Sequence, residues 1–309
     1  MRRTLLGGFV GILTGCSLLL SCSQNNRGGS SLMDDVGGTG QEGDITSFSQ
    51  IYHLYPSPAE MLSIIDMAEM AYDGELLARV DMKDKYLTTK AKTSMLGVYM
   101  TDLAYSALFG RHEATLNYLE LVRDLAEDIR IDEAVSDAMI QKARDNVDYL
   151  DSLYQISNEA FMNIIAFCER NERSNTVVML SAGAFTESLY LAVNLIDNHE
   201  EADYLLQHLA DQKYTLDNFM AFAVSVDQED NVSSTIADLK TIKEIYDGMD
   251  PGSGKVTVTT GSEDGESAPK KLVIGGSGDQ SQPSLSRDEF FALEEAVVAL
   301  RNKIIEGQN

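Results

Sequence analysis

Two stretches of this 309-residue chain set an acid and a tyrosine three residues apart, the spacing that brings side chains onto one face of a helix: Asp102 with Tyr105, and Glu187 with Tyr190. Each acid sits in a nearly apolar run, GVYMTDLAYSAL from Gly97 and GAFTESLYLAV from Gly183. A charge in such a helix must be paired, protonated or turned toward a cavity. Two carboxylates with tyrosines beside them could move protons in acid/base chemistry, or grip a cationic or sugar-like ligand. The plainer reading, which is favoured, is a buried hydrogen bond or ion pair with a lysine, arginine or tyrosine. Either way Asp102, Tyr105, Glu187 and Tyr190 are the candidate site.

Other chemistry finds little support. His199 and His208 do not form a zinc-binding HExxH, and His53 and His112 stand apart, so no metal site is expected. The acidic runs DQED at 227–230 and SEDGE at 262–266 lack the alternating oxygen ligands of a calcium loop. GSGK at 252–255 is too short for a phosphate loop, and there is no nucleophile elbow. No cofactor is implied, and a non-enzymatic role is favoured over catalysis, which stays open as the alternative.

The two acid-bearing runs echo each other. Glycine, aromatic, threonine, acid and tyrosine recur in order, each run is followed by His-Glu (His112-Glu113, His199-Glu200), and each His-Glu opens another helical pattern. This spacing predicts a duplicated helical hairpin, its halves packed about a pseudo-two-fold axis. Gly97 and Gly183 would then allow close helix approach. Two copies are too few for a solenoid.

The elements that must hold these residues are helices. SPAE at 57–60 reads as a capped helix start with proline at the first position. Helical periodicity then runs to Met249, with no proline between Pro58 and Pro251. Expected segments are 94–109, 113–128, 133–150, 153–170, 175–196, 200–211, 215–226 and 232–248, with Gly110 as a C-cap and Asp132 as an N-cap. The fold class is all-α, an antiparallel bundle of hairpins over 51–250. Residues 251–286, rich in Gly, Ser, Asp and Glu, read as a low-complexity insertion, disordered or a short β-hairpin. A capping box at Ser286 and Glu289 starts a final helix over 287–309, whose stripe Phe290, Leu293, Val297, Leu300 and Ile304 must dock on the bundle.

The N-terminus is an address. Arg2 and Arg3 precede an apolar run ending LLSC at 19–22. That is an export signal with a small residue before a cysteine, the pattern of a bacterial lipobox. Residues 1–21 are then a signal peptide, Cys22 the diacylated mature N-terminus, and 22–50 a flexible tether rich in Gly, Ser, Asn and Gln. LTGC at 13–16 offers Cys16 as the alternative. Cys22 is favoured because it leaves a full hydrophobic region before the cut. Two acyl chains hold a protein at a bilayer surface without spanning it. Only Cys168 then remains in the mature chain, which excludes an intramolecular disulfide. Losing residues 1–21 removes two arginines and no acid, so a formal charge of −25 becomes −27. A chain this acidic repels nucleic acid and anionic headgroups, leaving an envelope protein as the expected kind of partner.

LLSCS at 19–23, YPSPAEM at 55–61, KTSMLGVYMTDLAYSALF at 92–109, DNVDYLDSL at 145–153 and AGAFTESLYLA at 182–192 together resemble an uncharacterised family of helical lipoproteins from Bacteroidetes, over roughly 52–248. The resemblance implies an all-α fold and a lipid-anchored address at the cell envelope, with the outer membrane expected. It brings no activity or site residues. Where many relatives carry a tryptophan before the second acid, this chain has Phe185. Two functions are compatible with these readings: a membrane-anchored, non-enzymatic binding or scaffolding module, or an enzyme or small-ligand receptor using Asp102 and Glu187 in an internal cavity.

Overall fold

The structure, a computed structural model, describes residues 58–196, 202–227, 231–249 and 285–308. The chain divides into two units, Met1–Gly43 and Asp44–Asn309, and every described residue lies in the second. Cys16, Cys22, the tether, the insertion over 251–284, Ser57, His53 and the His199-Glu200 pair lie outside the described residues. Of the described residues 81% are helical and none is in a strand, so the fold is all-α.

The order is α1 (Pro58–Met67), 3-10 turns at Gly74–Leu76 and Val80–Lys85, α2 (Thr89–Leu108), α3 (His112–Asp128), a 3-10 turn at Asp132–Ala134, and α4 (Asp137–Asp145). It continues through α5 (Leu150–Arg170), α6 (Ser174–Asn194), α7 (Asp203–Val226), α8 (Ser233–Gly248) and α9 (Arg287–Ile305). Helices α2 and α6 are buried almost all round, from Thr93 to Ala107 and from Thr176 to Leu189 without a break. A helix with no polar face has nowhere to go but the centre. These two pack on each other more extensively than any other pair, and α1, α3, α5 and α9 cover them. Helix α6 is also long and apolar enough to cross a membrane, yet 94% of that apolar window is buried inside the fold.

Local chemistry explains the ends. Thr88 caps α2, its hydroxyl accepting from Ala91 N–H at 3.0 Å, so α2 starts earlier than position 94. After α2, Gly110 takes φ +64°, Gly110 N–H donates to Ala107 C=O and Arg111 N–H to Ser106 C=O, which is a Schellman turn. The stretch expected as one helix over 133–150 is instead a 3-10 turn and a short α4. Ser136, rather than Asp132, caps α4 by accepting from Met139 N–H. The segments expected at 200–211 and 215–226 are one helix, α7, because Gln212, Lys213 and Tyr214 include no residue that breaks a helix. Helix α9 begins at the Ser286–Glu289 capping box and buries Phe290, Leu293, Val297, Leu300 and Ile304 against α6, α8 and α2.

Candidate functional site

The centre of the molecule is the crossing of α2 and α6, and two glycines make it possible. A Cβ at Gly97 would overlap the Leu180 carbonyl oxygen, and a Cβ at Gly183 would overlap the Ser94 carbonyl oxygen. The contacts are reciprocal: 86 positions separate Gly97 from Gly183, and the same 86 separate Ser94 from Leu180. Thr101 Oγ1 stitches the crossing by donating to Gly97 C=O at 3.3 Å or to Ala184 C=O at 3.2 Å.

About one turn beyond each glycine stand Asp102 and Glu187, both with no exposed surface. Their side chains lie within hydrogen-bond reach of each other. Arg301 of α9 presents its guanidinium fork to Glu187, Nε to Oε2 at 3.0 Å and Nη2 to Oε1 at 3.1 Å. The same guanidinium lies over the Tyr190 ring, 4.2 Å from its centroid, and Nη2 also donates to Leu76 C=O at 2.9 Å. Asp102 Oδ2 accepts from Ala78 N–H at 3.0 Å, while its buried Oδ1 has no donor.

One guanidinium faces two carboxylates in a dry site. At an effective dielectric of about 20, unit charges 4 Å apart repel by about 4 kcal/mol. That outweighs the about 1 kcal/mol by which a charged acceptor improves a hydrogen bond. Burial, and after it the charge of Glu187, push Asp102 well above the usual carboxylate range. Burial also raises Glu187, but the Arg301 guanidinium opposes this. Asp102 therefore holds the proton and directs Oδ1–H to Glu187, which stays ionised on Arg301. Acid, carboxylate and guanidinium together are electrically neutral.

A strap, residues 73–79, which includes the 3-10 turn at Gly74–Leu76, closes the cluster. Besides Leu76 C=O on Arg301 and Ala78 N–H on Asp102, Ala78 C=O accepts from Tyr118 Oη at 2.7 Å and Arg79 C=O from Tyr99 Oη at 2.9 Å. Asp73 N–H donates to Tyr105 Oη at 2.9 Å. Side chains of α2, α3 and α9 thus hold the strap by its main chain. Of its own side chains only Ala78 is buried.

The structure brings Asp102 and Glu187 together and separates their tyrosines. Tyr105 stacks on Tyr72, ring centroids 5.2 Å apart, in an aromatic group with Phe109, while Tyr190 lies under Arg301. Sequence reasoning missed Arg301, Tyr99, Tyr118 and Ala78. A signal for Arg301 existed: four residues after Val297, it is a cation at the edge of the α9 apolar stripe.

As it stands the cluster offers no approach to a reactant, since Glu187 accepts with both oxygens from Arg301 and the strap covers Asp102. A small cavity lies elsewhere, lined by Ser94, Thr186, Thr235, Asp238 and apolar neighbours; its volume of about 10 Å³ is room for one water. Among the described residues no three His, Cys, Asp or Glu side chains gather to hold a metal. Cys168 is fully buried in α5, and burial pushes its thiol up to about 11, so it is a poor nucleophile. No protein-family model, curated protein or solved structure matches the chain.

Proposed function

We propose that this chain is a lipid-anchored protein of the cell envelope acting as a non-enzymatic binding or scaffolding module, its acid pair serving the fold. The closure of Asp102 and Glu187 carries this reading. A catalytic or ligand-gripping carboxylate needs a path for its reactant, whereas these two have no exposed surface and are engaged by Arg301 and the strap. The address rests on LLSC at 19–22 and on the resemblance to the Bacteroidetes helical lipoproteins, with Cys22 acylated and the outer membrane as destination. The reciprocal glycine contacts at the α2/α6 crossing support a bundle built from a duplicated hairpin. The partner is another envelope protein, since the acidic charge disfavours nucleic acid.

Fatty-acid labelling with membrane fractionation tests the anchor. Wild type is expected to take label and sediment with membranes, and Cys22→Ala to do neither. Label that survives Cys22→Ala and disappears in Cys16→Ala moves the anchor, and label in no variant ends the proposal. A small ligand that raises the melting temperature of wild type but not of Asp102→Asn would overturn the non-enzymatic half.

A further inference from the structure

We propose that one ordered water is built into the joint where α8 and α9 meet the central pair α2/α6, held by Thr235, Asp238 and Thr186. The cavity there takes its polar wall from Ser94 of α2, Thr186 of α6, and Thr235 and Asp238 of α8, and its apolar wall includes Leu300 and Ile304 of α9. A volume of about 10 Å³ matches a single water. Cavities that stay dry are apolar, whereas this one gathers hydroxyls and a carboxylate. Thr235 supplies the demand for a ligand. The residue is only 6% exposed, and its Oγ1 is fully buried with no hydrogen-bond partner in the protein. A hydroxyl left in that state keeps the whole cost of its desolvation.

The neighbours have the acceptor capacity that a water needs. Thr186 Oγ1 donates to Ala182 C=O at 2.7 Å, which uses its proton and leaves its lone pairs to accept. Asp238 Oδ1 takes Lys303 Nζ at 2.5 Å, and a carboxylate has further lone pairs to offer. The water therefore accepts from Thr235 Oγ1–H and donates its two protons to Thr186 Oγ1 and to Asp238. Three hydrogen bonds are the usual complement of a buried water. Charged occupants fit worse: an anion would meet the Asp238 carboxylate, and a metal ion would meet Lys303, with Lys90 of α2 reaching Ser234 beside it. The water ties α8 to α6, two helices that share only a short contact. It serves the closure of the fold and is independent of what the module binds.

Crystals of the full chain, at a resolution that shows ordered solvent, test the site directly. Wild type is expected to show one solvent peak within hydrogen-bond distance of Thr235 Oγ1, Thr186 Oγ1 and the Asp238 carboxylate. No peak, or a peak out of reach of Thr235, overturns the proposal. Denaturant unfolding of Thr235→Val gives a second test, since valine keeps the shape of the side chain and removes the hydroxyl. With the water in place the change takes away one of its three partners, and the unfolding equilibrium constant is expected to rise roughly three- to tenfold. Without the water the same change removes an unpartnered hydroxyl, and the variant gains stability. A variant as stable as wild type, or more so, therefore overturns the proposal. Should Thr235→Val fail to fold, the wild-type density decides alone.

Discussion

At the scale of residues, two acids that look equivalent in the sequence occupy different chemical states. Asp102 is neutral and Glu187 is charged, because Arg301 reaches only one of them with both arms. Their amide variants should therefore diverge. Asparagine at 102 reproduces the neutral donor and keeps an oxygen for Ala78 N–H, so Asp102→Asn should change stability by less than about 1 kcal/mol near neutral pH. Glutamine at 187 leaves a buried guanidinium without its counter-charge, and Glu187→Gln should lose about 3–5 kcal/mol. Denaturant unfolding of both variants measures this, and equal losses would refute the assignment. The sign with pH follows. A carboxyl raised in the folded state gives its contribution fully below its unfolded pKa and loses it as pH rises through the folded value. Wild-type stability should thus decline toward alkaline pH relative to Asp102→Asn. The two acids were legible in the sequence because a charge inside an apolar helix demands an explanation. The strap was not, since its contribution is main-chain N–H and C=O, which every residue carries.

At the scale of elements, helix bodies were easier to read than their ends. Where an end has a glycine, as at Gly110, the sequence announced it. Other helices close in the same left-handed way through residues that carry no such signal: Glu69 at φ 54°, Arg130 at φ 60° and Glu172 at φ 54°. After α5, Glu172 N–H donates to Glu169 C=O and Arg173 N–H to Cys168 C=O, the Schellman pattern built on a glutamate. Such a residue pays a steric penalty that glycine avoids. Glu172→Gly should accordingly stabilise the protein by about 0.5–1 kcal/mol, seen as a higher melting temperature; a decrease would mean that the glutamate side chain contributes more than its backbone strain removes. The merging of two expected segments into α7 has a related cause. Nothing between the two expected segments stops a helix, since Gln212, Lys213 and Tyr214 all continue one.

At the scale of the whole molecule, α9 completes the core rather than decorating it. It brings five buried apolar side chains to α6, α8 and α2, and the guanidinium that neutralises Glu187. At about 1.5–3 kcal/mol for each large apolar side chain, the five together contribute on the order of 10 kcal/mol. That equals the whole stability of a typical domain. Removing residues 285–309 should therefore abolish cooperative thermal unfolding by circular dichroism, and a variant that still melts sharply would show that α1–α8 close a core without it. The apolar stripe made this docking legible. The electrostatic half left a fainter signal, an arginine four residues after Val297 at the edge of that stripe, and nothing near it in the sequence names Glu187 as its partner.

The Glu187–Arg301 contact also sets an order of events in time. The partners are 114 residues apart, and Arg301 and Leu76 are 225 apart. Any chain that emerges N-terminus first presents the glutamate and the strap long before the guanidinium that joins them. Until Arg301 emerges, settling α6 against α2 would bury Glu187 without a counter-charge, so the nascent chain gains little by closing early. Long-range closure of this kind slows folding. It makes the last step of assembly the docking of a helix that lies far along the chain, so the order in which segments emerge acts as a timer on the core.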